Sequence, residues 1–153
     1  MPYIISAIVI VLLLVTLFAL AIIILNTAGV NKRCEGDDNL KYLKAKNFDN
    51  LNALPISFKS DKQQTLNGFL YSSAKVDAYK GLIVFSHGMG AGHLAYTTEI
   101  NYLAQKGYIV LAYDNTGTCT SEGKKIKGFA QGIIDLKYAL DFVKTRDDLK
   151  DLS

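Results

Sequence analysis

Residues 82–92 read Leu-Ile-Val-Phe-Ser-His-Gly-Met-Gly-Ala-Gly, and this stretch restricts the possible folds more than any other. Its four apolar residues have the character of a strand buried on both faces. Ser86 and His87 break the run, and Gly88, Gly90 and Gly92 follow at alternate positions. A buried strand that runs straight into a glycine-rich loop brings backbone to the carboxyl end of a sheet, where ligands bind in α/β folds. N–H groups in such a loop, beside a helix start, can hold negative charge.

The flanking chain extends the pattern. Tyr96, Ile100, Leu103 and Ala104 stand on one face of a helix expected over 96–106, which Gly107 ends. Tyr108–Tyr113 is a second buried-strand run, closing at Asp114. Strand, loop, helix and strand within about 30 residues make a βαβ unit, for which a right-handed crossover is expected. Upstream, Leu54–Lys59 alternates at Ile56 and Phe58, and Thr65–Tyr71 alternates less cleanly at Leu66, Phe69 and Tyr71. With polar Ser60–Gln64 between them, the two read as a hairpin. Residues 40–48 are expected to form a short helix with Leu40, Tyr42 and Leu43 as its apolar contacts. Residues 128–146 are expected to form a longer helix with Phe129, Ile133, Leu136, Leu140 and Val143 facing the core. Residues 147–153 read as a polar end.

Ser86-His-Gly-Met-Gly after an apolar strand, followed by Asp114-x-x-Gly117-x-Cys119-x-Ser121, resembles the α/β-hydrolase superfamily. The likeness is greatest to its lysophospholipase, monoglyceride-lipase and serine-aminopeptidase branch, and it covers residues 40–153. It implies an α/β fold: the N-terminal half of a hydrolase sheet, an antiparallel hairpin and then parallel strands with helices. The activity it implies is serine-dependent hydrolysis of an ester, lipid acyl or peptide bond, with no cofactor. By the same resemblance Met89 offers the oxyanion N–H, Gly88 allows close approach, and His87 shapes the loop by hydrogen bonding, not as the base. Gly90, Asp114, Gly117 and Ser121 are implied to be loop-shaping. Two positions depart from the family's pattern. Asp61-Lys62 stands where Asp-Gly is usual, and Cys119 replaces the second glycine of Asp-x-x-Gly-x-Gly-x-Ser, where a positive φ would carry a steric cost.

The nucleophile is not here. Gly-x-Ser-x-Gly, the elbow of α/β hydrolases, does not occur. In the family's order the nucleophile strand follows the helix that corresponds to residues 128–146, and the acid and base come later. The expectation is that all three lie beyond Ser153, that the chain alone has no hydrolase activity, and that residues 82–85 form an apolar sheet edge on a poorly stable body. Two other readings compete. One is a membrane-tethered remnant or interaction module without chemistry. The other is a Rossmann-type nucleotide-binding half, which Gly88-x-Gly90-x-Gly92 imitates, although His93 stands where the third glycine belongs. A metal site is not expected, since the two histidines, His87 and His93, are six apart and share no helix face.

Ahead of this lies Tyr3–Leu25, almost wholly apolar and without charge. As a helix it would span roughly 34 Å, enough for a hydrocarbon core of about 30 Å. A cleaved signal peptide is the competing reading, but no Lys or Arg precedes the run and the run exceeds the usual apolar region of a signal. The expected organisation is therefore an anchor at 3–25, a linker at 26–39 and a partial hydrolase domain at 40–153. Lys32, Arg33, Lys41, Lys44 and Lys46 follow the span, which by the positive-inside tendency puts the globular part in the cytoplasm. Expected partners are the lipid bilayer and a small ester, lipid or peptide substrate. A net charge of +3, spread along the chain, argues against nucleic acid. Cys34 and Cys119 read as two unpaired thiols, with a bridge between them, or a palmitoyl group on Cys34, as alternatives.

Overall fold

The computed structural model describes residues 2–30 and 32–152; Met1, Asn31, in the expected linker, and Ser153 lie outside them. Helix α1 runs over Pro2–Val30. Within it Tyr3–Leu25 is long and apolar enough to cross a membrane, and none of that stretch is buried by the rest of the protein. The helix continues past the expected start of the linker. Arg33 and Cys34, within that linker, are bonded to the body and do not hang free.

The body is built on a four-stranded sheet. Strands β1 (Leu51–Lys59) and β2 (Thr65–Ser73) form the expected hairpin, paired from Leu51↔Ser73 to Lys59↔Thr65. Strand β3 (Gly81–Ser86), helix α2 (Thr97–Gln105) and strand β4 (Tyr108–Tyr113) form the βαβ unit, with β3 and β4 parallel. The strand order is β1-β2-β4-β3, with β2 antiparallel to β4. Gly68 allows that join: a Cβ there would lie 2.2 Å from the Ala112 carbonyl oxygen and 2.5 Å from Tyr113 Cα.

Both faces of the sheet are covered. On one, Ile56, Phe58, Leu66, Leu70, Leu111 and Tyr113 pack with Ala139 and Val143 of helix α3 (Gly128–Lys144) and with Leu149. On the other, Leu51, Tyr71, Val110 and Ala112 pack with Ile100 and Ala104 of α2. Strand β2 therefore buries residues on both faces, which is why its alternation is blurred in the sequence. Leu66 and Leu70 face α3, while Phe69 and Tyr71 face α2.

Several local expectations are corrected. The run that reads as buried on both faces is only half-buried as β3, because it is the expected sheet edge, with no strand beyond it among the described residues. Residues 40–48 give only a 3-10 turn at Ala45–Asn47, and Leu40 and Leu43 are exposed. Side chains compete for the backbone there. Asp37 accepts from the Asn39 N–H at 2.9 Å, and Asn47 Oδ1 accepts from the Lys44 N–H at 2.9 Å. The polar end is not merely polar, since Leu149 is buried in the core and Asp147–Leu152 forms a 3-10 helix.

The largest correction concerns α3. Its buried face is Gln131, Asp135, Ala139 and Val143, while Phe129 is 75% and Ile133 69% exposed. Charge decides the rotation. The Asp135 carboxylate is fully buried and accepts from the Thr116 N–H at 2.7 Å, Thr116 Oγ1 at 2.9 Å, Ser60 Oγ at 2.7 Å and Gln131 Nε2 at 3.0 Å. A buried carboxylate with four donors is well satisfied, and those donors exist only on the hairpin tip, the loop after β4 and α3 itself. Turning Phe129 and Ile133 inward would turn Asp135 away from them.

Candidate functional site

Two loops meet at the carboxyl ends of the parallel strands: residues 87–92 after β3 and 114–123 after β4. His87 joins them. Its Nε2 accepts from the Asn115 N–H at 3.0 Å, so its Nδ1 carries the proton and donates to the Gly88 carbonyl at 2.7 Å. Asn115 Nδ2 also donates to the His87 carbonyl, at 3.3 Å. The ring is buried, and burial lowers its pKa, outweighing the opposite pull of the Gly88 carbonyl and Asp114. A neutral imidazole with both nitrogens occupied is a structural strut and has no free position from which to act as a base.

Held in this way, the loop leaves its amides open. Among the described residues no protein group accepts from the N–H of Gly88, Met89 or Gly90. Gly90 takes φ +90°, a turn conformation that L side chains rarely adopt. Met89 is half exposed.

The second loop is organised by Asp114. Its carboxylate accepts from the His93 N–H at 2.9 Å, His93 Nδ1 at 2.7 Å, the Thr120 N–H at 3.0 Å and Thr120 Oγ1 at 2.6 Å. Burial pushes its pKa up, but the bonds from His93 and Thr120 together outweigh burial and hold it at about 2. Ser121 Oγ donates to the Asp114 carbonyl at 2.5 Å and accepts from the Asn67 N–H at 2.9 Å. Gly117, at φ +73°, lies so close to Lys125 that a Cβ would fall 2.4 Å from its carbonyl carbon. Cys119 takes φ +37°, the region in which a side chain carries the cost foreseen for it.

The structure thus brings His87, Gly88, Met89 and Gly90 together in one loop, and Asp114, Gly117 and Ser121 in its neighbour. Sequence reasoning missed His93, Asn115 and Thr118 as supports. Their partners lie 21 to 31 residues away, so no local spacing marks them.

No nucleophile–base pair is formed among the described residues. Thr118 Oγ1 comes within 3.3 Å of His87 Nε2, but its proton goes to the Asn115 carbonyl at 2.6 Å. Burial and the nearby Asp114 push the Cys119 thiol up to about 11, so it is protonated at neutral pH. Both cysteines are free thiols. Among the described residues there is no group of three or more His, Cys, Asp or Glu placed to hold a metal.

Beside the open amides lies a cleft of about 300 Å³. One side is Ser86, His87, Gly88, Met89, Asn115 and Thr118; the other is Ile126, Phe129, Gly132, Ile133 and Leu136. The apolar face that α3 turns outward therefore ends against the loop at the open edge of β3.

Residues 77–152 match the family model described as serine aminopeptidase, S33. Among solved structures, an esterase of Pyrococcus furiosus superposes with a TM-score of 0.64 at 20% identity, over 78% of this chain and 45% of that one. Brefeldin A esterase, described as a bacterial homologue of human hormone-sensitive lipase, superposes at 0.54 with 18% identity, over 80% of this chain and 33% of that one. An α/β hydrolase from Penicillium gives 0.53 at 21% identity, over 61% and 32%. A search of curated proteins finds no match. The chain spans less than half the length of these hydrolases.

Proposed function

We propose, for a chain that belongs to the α/β-hydrolase superfamily, that residues 81–123 are the oxyanion-donor half of a serine-hydrolase site. The observation that carries this reading is the set of N–H groups at Gly88–Gly90 with no partner among the described residues, on a loop that the His87 ring locks to the loop after β4. In acyl transfer a serine oxygen attacks the carbonyl carbon and negative charge gathers on the carbonyl oxygen. Fixed backbone donors stabilise that charge without having to reorient. Met89 N–H is the donor we assign, with Gly88 allowing the substrate carbonyl to come close. The nucleophile, its base and its acid belong to polypeptide that continues the sheet at β3 and covers the apolar face of α3. Without them the chain is inactive. The bond cleaved is an ester, a lipid acyl bond or a peptide bond, and the esterase neighbours favour a small ester. The α1 helix anchors the assembly in a membrane, with the body on the cytoplasmic side.

A non-catalytic reading, a membrane-tethered interaction module, draws on the same open edge and exposed Phe129 and Ile133. The two separate by experiment. Purified in detergent, the chain should not turn over p-nitrophenyl butyrate or take up a fluorophosphonate label. Turnover blocked by that reagent would overturn the assignment of a donor half. In the assembled hydrolase, Met89→Pro removes one donor and should lower kcat by about 10²–10³ with little change in KM. An unchanged kcat in a folded variant would leave the interaction module standing.

A further inference from the structure

A group of lysines unused by the site gathers on one face of the body. Lys62 at the hairpin tip and Lys124, Lys125 and Lys127 ahead of α3 line an open cleft of about 480 Å³, together with Gln64 and Thr116. All four lysines are exposed. Lys62 stands beside Lys127 and lowers its pKa, as burial and Lys125 also do, while Asp61 pulls it the other way. Asp61 lies near enough to Lys62 and Lys127 to feel their charge, but its hydrogen bonds go elsewhere. Asp61 accepts from Gln64 Nε2 at 2.9 Å and Gln131 Nε2 at 3.0 Å, and Glu122 accepts from the Thr65 N–H at 2.6 Å. Among the described residues no carboxylate forms an ion pair with Lys62, Lys124 or Lys127. Like charges held together in this way favour an anion between them.

The second observation is where this face sits along the chain. The segment leaving α1 is fastened to the loop that carries the lysines. The Lys32 carbonyl accepts from the Ile126 N–H at 3.1 Å. Arg33 donates to the carbonyls of Cys119, Ser121 and Gly123, the last two at 2.7 and 3.0 Å. Cys34 forms a backbone bridge with Thr118. From Leu25, the last residue of the apolar run, α1 rises about 7.5 Å to Val30, and Lys32, two residues on, can lie no more than about 7 Å further. The headgroup layer is about 5–8 Å deep on each side of a bilayer, and the Debye length at physiological salt is about 8 Å. The loop that carries Lys124, Lys125 and Lys127 is therefore tethered close to the headgroups.

We propose that the face formed by Lys62, Lys124, Lys125 and Lys127 docks on anionic phospholipid headgroups of the leaflet in which α1 ends. The proposal rests on the reading of α1 as a membrane span. A headgroup, and not a dissolved phosphate, is the occupant because the tether holds the lysines where headgroups are concentrated.

The test uses the full chain in nanodiscs of phosphatidylcholine alone, or of phosphatidylcholine with phosphatidylserine. Lysine acetylation by a water-soluble N-hydroxysuccinimide ester is followed by mass spectrometry. Lys62, Lys124, Lys125 and Lys127 should react several-fold more slowly with phosphatidylserine present, since each lysine at an anionic surface gains roughly a factor of five. Lys75, beyond the far end of β2, should not change. High salt should remove the difference. Replacing Lys124 and Lys125 by glutamate should release Lys62 and Lys127. Equal rates in the two kinds of disc overturn the proposal. So does protection by inorganic phosphate in phosphatidylcholine discs, which would make the cleft a site for soluble anions. Carbonate extraction from vesicles separates the two failures. A chain that is stripped off ends both the span and the proposal; one that stays but shows no protection ends only the lipid surface.

Discussion

His87 and Asp114 stand at the ends of neighbouring strands, and each is defined by what its polar atoms touch. His87 spends both ring nitrogens on backbone and fixes a loop with open amides. Asp114 gathers four donors and fixes the loop opposite. The Asp114 carboxyl is 1% exposed with a pKa of about 2, below the ordinary value near 3.9, so its ionised form contributes about 2–3 kcal/mol to stability at neutral pH. That contribution is complete above pH ~4 and is lost as the pH falls toward 2, so unfolding free energy should drop across that window. Asp114→Asn should abolish this part of the pH dependence and cost about 2–4 kcal/mol at pH 7 in urea unfolding. A variant that unfolds at the same urea concentration as the parent would mean the pair with His93 holds nothing.

At the scale of elements, α3 carries the most information. It reads as an amphipathic helix with an apolar core face, yet it buries Gln131 and Asp135 and shows Phe129 and Ile133 to the outside. Asp135→Ala would leave the Thr116 N–H and the Ser60 hydroxyl without their acceptor, and should destabilise the chain by about 2–4 kcal/mol. Ile133→Ser on the outward face should change stability by no more than about 0.5 kcal/mol. Thermal melts of the two variants side by side test the rotation of the helix, since the opposite ranking would follow if Ile133 lay in the core. The same arrangement concerns β3. Its last residue, Ser86, and the outward face of α3 line one cleft, so a strand added beyond β3 would lie beside both.

For the whole molecule, the consequence is a sheet with two edges, β1 and the apolar β3. β1 and β4 shield β2, and β2 and β3 shield β4, whose residues Val110–Tyr113 are fully buried, but among the described residues no strand pairs with β3 on its far side. Ordinary domains are stable by about 5–15 kcal/mol. The detergent-solubilised chain should fall at or below the lower limit in urea unfolding, because part of its apolar surface has no cover. A value well above about 10 kcal/mol would show that the body needs no further strand.

Much of this was legible in the residues alone. Alternation over two short runs is enough for the hairpin, because side chains on a strand point to opposite faces in turn. An apolar run followed by glycines marked the strand ends and the loop around Met89, and an uncharged apolar run marked α1, because these are properties of consecutive residues. The steric conflict at Cys119 was also local, a side chain where the turn requires positive φ. What needed the tertiary structure was every choice that depends on distant partners. Which face of α3 is buried was decided by donors up to 75 residues away in the chain, and a pattern of apolarity records only which face is oily. The fastening of Arg33 to the loop beyond β4, and the locking of His87 by Asn115, have the same origin. A hydrogen bond needs its two atoms within about 3 Å, and only the folded chain brings such residues that close.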